Sequence, residues 1–243
     1  MSTRPLIACA IAALAATSAA ASQTNFIRTQ VDFSEQFNTR NDSDSLDHLG
    51  FFRANTLPTG DQHLGNLDFR FGPSHDFYCW SAFFEEGANP RVLDIDTDIE
   101  SPAYVWTVIS TFWGTHDPNT LAIEFLGSDG AFHRERIVGG VHVRDYNHTH
   151  AYTNSTSSHQ TVQIFDNGRG QRLDRQLWVL PKDFHDESLA SIRIVDTGGE
   201  RESRAVVFAI TVSSYATEDP RAEALALIEQ ARAERAAHSV ARH

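Results

Sequence analysis

The stretch RLDRQLWVL, residues 172–180, combines the side-chain types that bind sugars. In a strand, side chains alternate between the two faces, so one face would carry a polar and aromatic group. Its members are Arg172, Asp174, Gln176 and Trp178. Planar donors and carboxylates bind paired hydroxyls, and an aromatic ring packs against the apolar side of a pyranose. We therefore predict a ligand-binding face here. The alternative is an ordinary solvated sheet face. The intervening residues would face the core: Leu173, Leu177 and Val179.

A second polar stretch, VHVRDYN, covers residues 141–147 and would place a comparable polar face on another strand. That face would consist of His142, Arg144 and Tyr146. Four histidines lie in or near this stretch: His142, His148, His150 and His159. Neutral imidazoles bind zinc or copper, but no recognisable motif fixes a third ligand. The sequence therefore favours a histidine-rich polar loop over a metal site.

Acidic side chains alternate with mostly apolar ones in LDIDTDIE, residues 93–100. Carboxylate oxygens suit calcium, so Asp94, Asp96 and Asp98 are candidate ligands of a structural calcium ion, with Glu100 beside them. Calcium loops, however, curl their ligands around the ion at a flexible glycine, whereas Ile99 stands at this point. A solvated acidic strand face is the favoured interpretation.

Motifs for catalysis are missing from the sequence. It lacks HExxH, a phosphate-binding glycine loop between a strand and a helix, and a complete nucleophile elbow. A glycoside hydrolase needs two carboxyl groups roughly 5 to 10 Å apart, and no such pair is singled out. We therefore predict a protein that is not an enzyme, with a glycan-cleaving enzyme as the last alternative.

Short β-rich runs, separated by Gly, Asp, Asn and Pro, must position these groups. Two of the runs, 104–112 and 206–212, are apolar on both faces and belong in the middle of a packed sheet. Many short strands with regular turns predict an all-β domain built as a two-sheet sandwich. The predicted strands are 29–37, 67–71, 91–95, 104–112, 121–126, 132–138, 141–146, 161–165, 173–180, 189–195 and 206–212.

The N-terminus has the three parts of a secretory signal peptide: Arg4, an apolar stretch over 6–14 and the small-residue site AAA at 19–21. We predict removal of residues 1–21 and secretion of the rest, to the periplasm or the extracellular space. No later apolar run is long enough for a membrane anchor. Of the two cysteines, Cys9 lies in the signal, so Cys79 would remain as a buried thiol without a disulfide partner.

The formal net charge is −12, and removal of the signal, whose single charged residue is Arg4, changes it to −13. An acidic surface repels phosphate backbones and anionic lipids, and the sequence has no basic run. Nucleic acid is therefore excluded as an expected partner.

The chain changes character after Thr217. Asp219 can cap a helix that begins at Pro220, and residues 222–237 are rich in Ala, Glu and Arg. Its apolar stripe is thin: Leu225, Leu227 and Ile228. We predict a helical tail over 218–243, which is either peripheral or docks on a protein partner.

The order of several segments resembles galactose-binding-like jelly-roll domains, in particular the carbohydrate-binding module found beside some glycoside hydrolases. The segments are LPTGDQHLGNLDFRFG, YVWTVISTFWG, IEFLGSDG, IVGGVHVRDYN, GQRLDRQLWVLP, SLASIRIVDTGG and AVVFAITV, and the resemblance covers residues 25–214. The resemblance implies a two-sheet jelly roll, often with a structural calcium ion, and a glycan-binding role. It places Arg144, Asp145 and the strand from Arg172 to Gln176 in the family pattern.

These observations predict a secreted, non-catalytic, carbohydrate-binding domain. The alternative is a protein-interaction or envelope-structural domain that docks through the C-terminal helix. The aromatic-rich segment PSHDFYCWSAFFEEGAN, residues 73–89, does not align with the family pattern. Its aromatic side chains either fill the core or form a recognition surface.

Overall fold

A computed structural model describes residues 27–39, 57–74, 78–85, 87–145, 153–168, 170–199, 204–214, 227–233 and 235. Antiparallel strands dominate these ranges, as the alternating sequence predicts. The twelve strands are β1 (Ile27–Val31), β2 (Asp61–Leu64), β3 (Leu67–Arg70), β4 (Trp80–Ser81), β5 (Arg91–Glu100), β6 (Pro102–Phe112), β7 (Leu121–Gly127), β8 (Phe132–Arg136), β9 (Thr161–Asp166), β10 (Arg172–Val179), β11 (Ser188–Asp196) and β12 (Arg204–Ser214). The predicted signal peptide, His148 and His150 lie outside the described residues.

The strands form two main sheets and a separate hairpin. The six-stranded sheet has the order β1-β12-β6-β10-β9, with β4 also paired to β12. The four-stranded sheet has the order β5-β11-β7-β8. The chain crosses repeatedly between the two, because β5, β7 and β11 belong to one sheet and β6, β10 and β12 to the other. The hairpin of β2 and β3 turns at Gly65 and Asn66, which both have positive φ.

The main hydrophobic core lies between the two sheets. Ile95, Phe125 and Ile194 enter it from the four-stranded sheet, and Ile109 and Ile210 enter it from the six-stranded sheet. Burial of each such side chain contributes about 1.5 to 3 kcal/mol. One core shared by two sheets defines a β-sandwich, so the predicted all-β sandwich is confirmed.

A second hydrophobic core covers the outer face of the six-stranded sheet. Trp106 projects into it from β6 and Phe208 from β12, while the β2–β3 hairpin contributes Leu67 and Phe69. Both faces of the central strands are therefore covered by other parts of the chain. This is the physical reason why residues 104–112 and 206–212 are apolar on both faces.

The C-terminal helix contributes to the second core. Residues 227–233 and 235 are helical, Leu227 and Ile228 pack against that core, and Ala231 is buried. Arg235 donates a hydrogen bond from Nη1 to the backbone oxygen of Ser158 at 2.7 Å. The predicted helix is confirmed over its described residues, where its apolar side packs on the domain itself. No helix in the described part of the chain is long and apolar enough to cross a membrane.

Most predicted strands are confirmed, and the differences have local causes. β5 continues to Glu100, because the alternation of acidic and apolar residues continues that far. The prediction of a strand over 141–146 is wrong for the described residues, which form turns and isolated bridges. There the backbone folds back on itself, since the N–H groups of Val141 and His142 both donate to the oxygen of Val138, at 3.1 and 2.8 Å.

The aromatic-rich segment 73–89 reaches both cores. Tyr78 and Cys79 lie in the outer core, and Trp80 lies in the core between the sheets. Burial raises the pKa of Cys79 to about 12, so the prediction of a buried thiol is confirmed. This part of the segment fills core, which was the first of the two alternatives.

Candidate functional site

The six-stranded sheet opens between β6 and β10. Backbone pairing of the two strands runs from Arg175 opposite Val108 to Val179 opposite Tyr104. Beyond it, the side-chain amide of Gln176 bonds the backbone of Ile109, accepting from its N–H and donating to its oxygen, both at 3.0 Å. A side chain thus takes the place that the next residue of β10 would have filled.

Residues 143–145 fill this opening. The N–H of Thr111 donates to the backbone oxygen of Arg144 at 3.3 Å, and Thr111 forms a parallel bridge with Asp145. On the other side, Arg172 donates from Nη2 to the backbone oxygen of Asp145 at 3.3 Å. The segment predicted as a separate strand is therefore a short wedge between two strands.

A buried ion pair joins the wedge to β10. Arg144 donates from Nε and Nη2 to the two carboxylate oxygens of Asp174, at 2.5 and 2.6 Å. The side chain of Arg144 is 13% exposed and that of Asp174 is 3% exposed. Arg144 also donates to Gln163 at 2.8 Å. Most donors of this guanidinium are therefore used within the protein, and the pair acts as a structural link.

Arg172 lies beside this pair and is 7% exposed. It donates to the side chain of Asn154 at 3.1 Å. Burial and the neighbouring charge of Arg144 lower the pKa of Arg172 to about 10, although Asp174 and Asp145 oppose the shift. Sequence reasoning correctly grouped these residues, but the group lies inside the protein.

The prediction that this strand face is exposed to a ligand is wrong, because all four of its predicted residues are buried. Trp178 is 3% exposed and lies in the core between the sheets, where its indole N–H donates to Oγ1 of Thr107 at 2.9 Å. The same threonine donates to Gln176 at 3.0 Å. This strand face becomes interior because the second sheet covers Trp178 and the wedge covers Asp174, and neighbouring polar groups satisfy one another.

Asp145 connects the wedge to the end of β6. Its Oδ1 accepts a hydrogen bond from the N–H of Gly114 at 2.7 Å, and Thr153 donates from Oγ1 to the oxygen of Gly114 at 2.6 Å. A Cβ added to Gly114 would lie 2.5 Å from Oγ1 of Thr153 and 2.7 Å from Oγ1 of Thr111. The position therefore requires glycine.

The side chains of Asp145 and Thr153 form a clamp on the backbone of Gly114 through these two hydrogen bonds. Trp113, the residue directly before Gly114, has a φ of 48°. Positive φ is rare for a bulky residue, costs about 1 to 3 kcal/mol and concentrates at functional sites. The hydrogen bonds on Gly114 fix the backbone immediately after Trp113. Asp145 and Thr153 therefore hold the tryptophan in this conformation.

Trp113 belongs to an aromatic cluster at the end of β6, which consists of Phe83, Phe84, Phe112 and Trp113. The ring of Trp113 lies 5.6 Å from that of Phe83 and 5.8 Å from that of Phe112, in tilted contacts. Phe83 and Phe84 are 5.2 Å apart, edge to face. Phe112 is buried, whereas the other three rings are partly exposed. Phe83 and Phe84 of the aromatic-rich segment thus reach the surface, next to Trp113, a residue that sequence reasoning did not select.

The predicted calcium ligands do not converge. Asp94, Asp96 and Asp98 are exposed along the extended strand β5, and Asp94 lies 3.3 Å from Nε of Arg193. Among the described residues, no group of three or more His, Cys, Asp or Glu side chains could hold a metal ion. The acidic group forms the solvated strand face that the sequence favoured.

His142 and His159 are the described members of the histidine group. Nδ1 of His142 accepts from the N–H of Val138 at 3.2 Å, and its ring centroid lies 5.6 Å from that of Trp178. Burial lowers the pKa of His142. His159 is exposed. His142 is therefore a packing residue beside Trp178, and burial favours its neutral form.

Comparison of the chain with protein-family models, with curated proteins and with solved structures gives no match.

Proposed function

We propose that this chain is a secreted, non-catalytic carbohydrate-binding domain of the galactose-binding-like jelly-roll type. The repeated crossing of the chain between two antiparallel sheets supports the jelly-roll assignment. Its ligand is an extracellular or cell-surface glycan. The glycan binds on the aromatic cluster at the end of β6.

The observation that carries the proposal is the left-handed backbone of Trp113, which is fixed by hydrogen bonds on the following glycine. A strained residue persists only where its surroundings determine its conformation. Here the result is a partly exposed indole supported by Phe83 and Phe112. A ring held in this way offers a rigid apolar surface to one face of a sugar.

Hydrogen-bonding side chains follow in the same loop. His116, Asp117 and Asn119 are exposed, three to six residues after the glycan-stacking tryptophan. Asp117 is preorganised, because its carboxylate accepts from the backbone N–H of Asn119 at 2.9 Å. Carboxylate, amide and imidazole groups complement sugar hydroxyls.

The buried ion pair of Arg144 and Asp174 supports this site indirectly, through the wedge. It fixes the wedge whose Asp145 clamps the loop. The glycan contact is thereby assigned to Trp113, and Trp178 becomes part of the core.

Retention on insoluble polysaccharides tests the proposal. The protein and its Trp113→Ala and Phe84→Ala variants are passed over cellulose, chitin, xylan and galactan. We expect retention on at least one of them, weakened by up to about tenfold in Trp113→Ala, because a stacked ring contributes about 0.5 to 1.5 kcal/mol.

Phe132→Ala is the matched control, because Phe132 is 59% exposed but lies on β8, in the other sheet. It should bind as the unmodified protein does. Absence of retention on every polymer, or equal loss in Phe132→Ala, would contradict the proposal.

Docking through the C-terminal helix is the alternative function. Its described apolar residues, Leu227 and Ile228, already pack against the outer core. A partner would have to displace them, so we rank this function second.

A further inference from the structure

A polar groove of about 480 Å³ lies between β1 and the β2–β3 hairpin. It is distant from the aromatic cluster. Arg28 of β1 pairs opposite Ser213 at the C-terminal end of β12, whereas Phe112 of the cluster pairs opposite Arg204 at its N-terminal end. The groove is lined by Arg28, Gln30, Asp61, Gln62, His63 and Asp68.

Two of the lining side chains, those of Arg28 and His63, each make one polar contact within the described ranges. Arg28 donates from Nη1 to the backbone oxygen of Asn66 at 3.2 Å. Nδ1 of His63 lies 2.7 Å from Oδ1 of Asp68. Each group is thereby oriented by one contact while a second polar atom, such as Nε2 of His63, makes no bond within the described residues. Preorganised polar groups bind a ligand at a lower entropic cost.

Two further lining residues, Asp61 and Gln62, precede His63 on β2 and are oriented in the same way. Gln62 donates from Nε2 to the backbone oxygen of Thr59 at 2.7 Å, and its Oε1 accepts no bond from the part of the chain that the structure describes. Asp61 accepts from Nε of Arg70 at 3.1 Å, and this ion pair fixes its carboxylate. The groove therefore offers donors and acceptors that are each oriented by a neighbouring contact, and it has no apolar lining residue.

We propose that this groove is a second ligand site, which takes a neutral or amino sugar through hydrogen bonds alone. Guanidinium, amide, imidazole and carboxylate groups together match a ring of neighbouring hydroxyls. Asp61 and Asp68 outnumber Arg28 in the lining, so an anionic sugar is disfavoured. The absence of an aromatic ring restricts the site to hydrophilic ligands and weak affinity.

An NMR titration of the ¹⁵N-labelled protein tests this assignment with three related probes, glucose, glucosamine and glucuronate. Glucose and glucosamine should shift the amide signals of β1, β2 and β3 in a saturable way, with dissociation constants on the order of 1 to 10 mM. Glucuronate should bind about fivefold more weakly or not at all. Saturable shifts should persist in Trp113→Ala, since the two sites are separate.

Gln30→Ala and Asp68→Asn should each weaken the groove shifts about fivefold, as expected for a lost hydrogen bond. Thr29→Ala is the matched control on the same strand, because successive side chains point to opposite faces. Thermal melts of all variants verify the fold.

The second site is overturned if no groove signal shifts at about 50 mM sugar, a concentration that fills even a 10 mM site. It is also overturned if glucuronate binds best, or if Thr29→Ala weakens the shifts as much as Gln30→Ala. Polysaccharide retention that depends on Trp113 would stand in each of these cases, so the two proposals fail independently.

Discussion

The carboxylate of Asp145 accepts a 2.7 Å hydrogen bond from the backbone N–H of Gly114, across 31 positions of sequence. This bond joins the wedge in the six-stranded sheet to the loop that begins with Trp113. It makes the conformation of an aromatic surface residue depend on a buried acid.

Replacing Asp145 by Ala removes the acceptor for Gly114. A buried donor without a partner costs about 1 to 3 kcal/mol, so the free energy of unfolding in urea should fall by that amount. Polysaccharide retention should weaken with it, because Trp113 loses its clamp. Asp96→Ala, a change to an exposed carboxylate of β5 whose side chain makes no hydrogen bond or ion pair within the described residues, is the stability control and should lower the unfolding free energy by less than about 0.5 kcal/mol. Equal effects of the two changes would show that the clamp contributes nothing.

Removing one partner of the Arg144–Asp174 pair should be more damaging than removing both. Arg144→Met leaves a carboxylate that is 3% exposed without its guanidinium, and such changes destabilise by about 3 to 5 kcal/mol. The double variant Arg144→Met/Asp174→Leu should recover part of that loss. Urea unfolding of the single and double variants measures the coupling. A strictly additive result would mean that the pair is not a coupled buried unit.

Trp178→Ala should act on stability and not selectively on ligand binding. Truncation of a buried tryptophan leaves a cavity and costs about 3 to 5 kcal/mol. It also removes the donor to Thr107. Thermal unfolding should therefore shift strongly, whereas Trp113→Ala should shift it little. Selective loss of glycan retention by Trp178→Ala, with an unchanged melting temperature, would restore Trp178 as a ligand contact.

Asp196 should make stability depend on pH in the mildly acidic range. Burial raises its pKa to about 6 from 3.8, although hydrogen bonds from Ala205 and Gly198 oppose the shift. The folded state therefore binds a proton more tightly than the unfolded state. The stability from this group is complete below pH 3.8 and is lost as the pH rises through 6.

Asp196→Asn, which resembles the protonated acid, should remove this dependence. The test compares urea unfolding of the variant and the unmodified protein at pH 4, 5, 6 and 7, and uses the difference between them. The variant should gain relative stability as the pH rises. A constant difference would show that Asp196 does not titrate in this range.

The strands of the sandwich could be predicted because their information is local. Alternation in LDIDTDIE specified β5, and two-sided apolar runs specified β6 and β12, whose faces are indeed both buried. The same kind of local pattern predicted that Arg172, Asp174, Gln176 and Trp178 lie on one strand, which is β10.

The exposure of that group could not be predicted, because it depends on which other segment covers the strand. Gln176 bonds to Ile109 across 67 positions, and Arg144 bonds to Asp174 across 30. The pattern of apolar and polar residues within a short segment does not indicate which distant residue will bond to it. Trp113 was missed for the same reason, since its conformation is fixed by a distant wedge and by a glycine that no local turn pattern explains.

The side-chain amide of Gln176 bonds the backbone of Ile109, where a strand residue would otherwise pair. This leaves room in the sheet for a segment from elsewhere in the chain. Because the ladder between β6 and β10 is closed by a side chain, the segment that fills the gap is held largely by its own side chains: Arg144 bonds Asp174, and Asp145 bonds Gly114. A segment of another length fits there only if it keeps both of these contacts. Tolerance to insertions at this point of the sheet therefore depends on two side chains and not on the strands beside them.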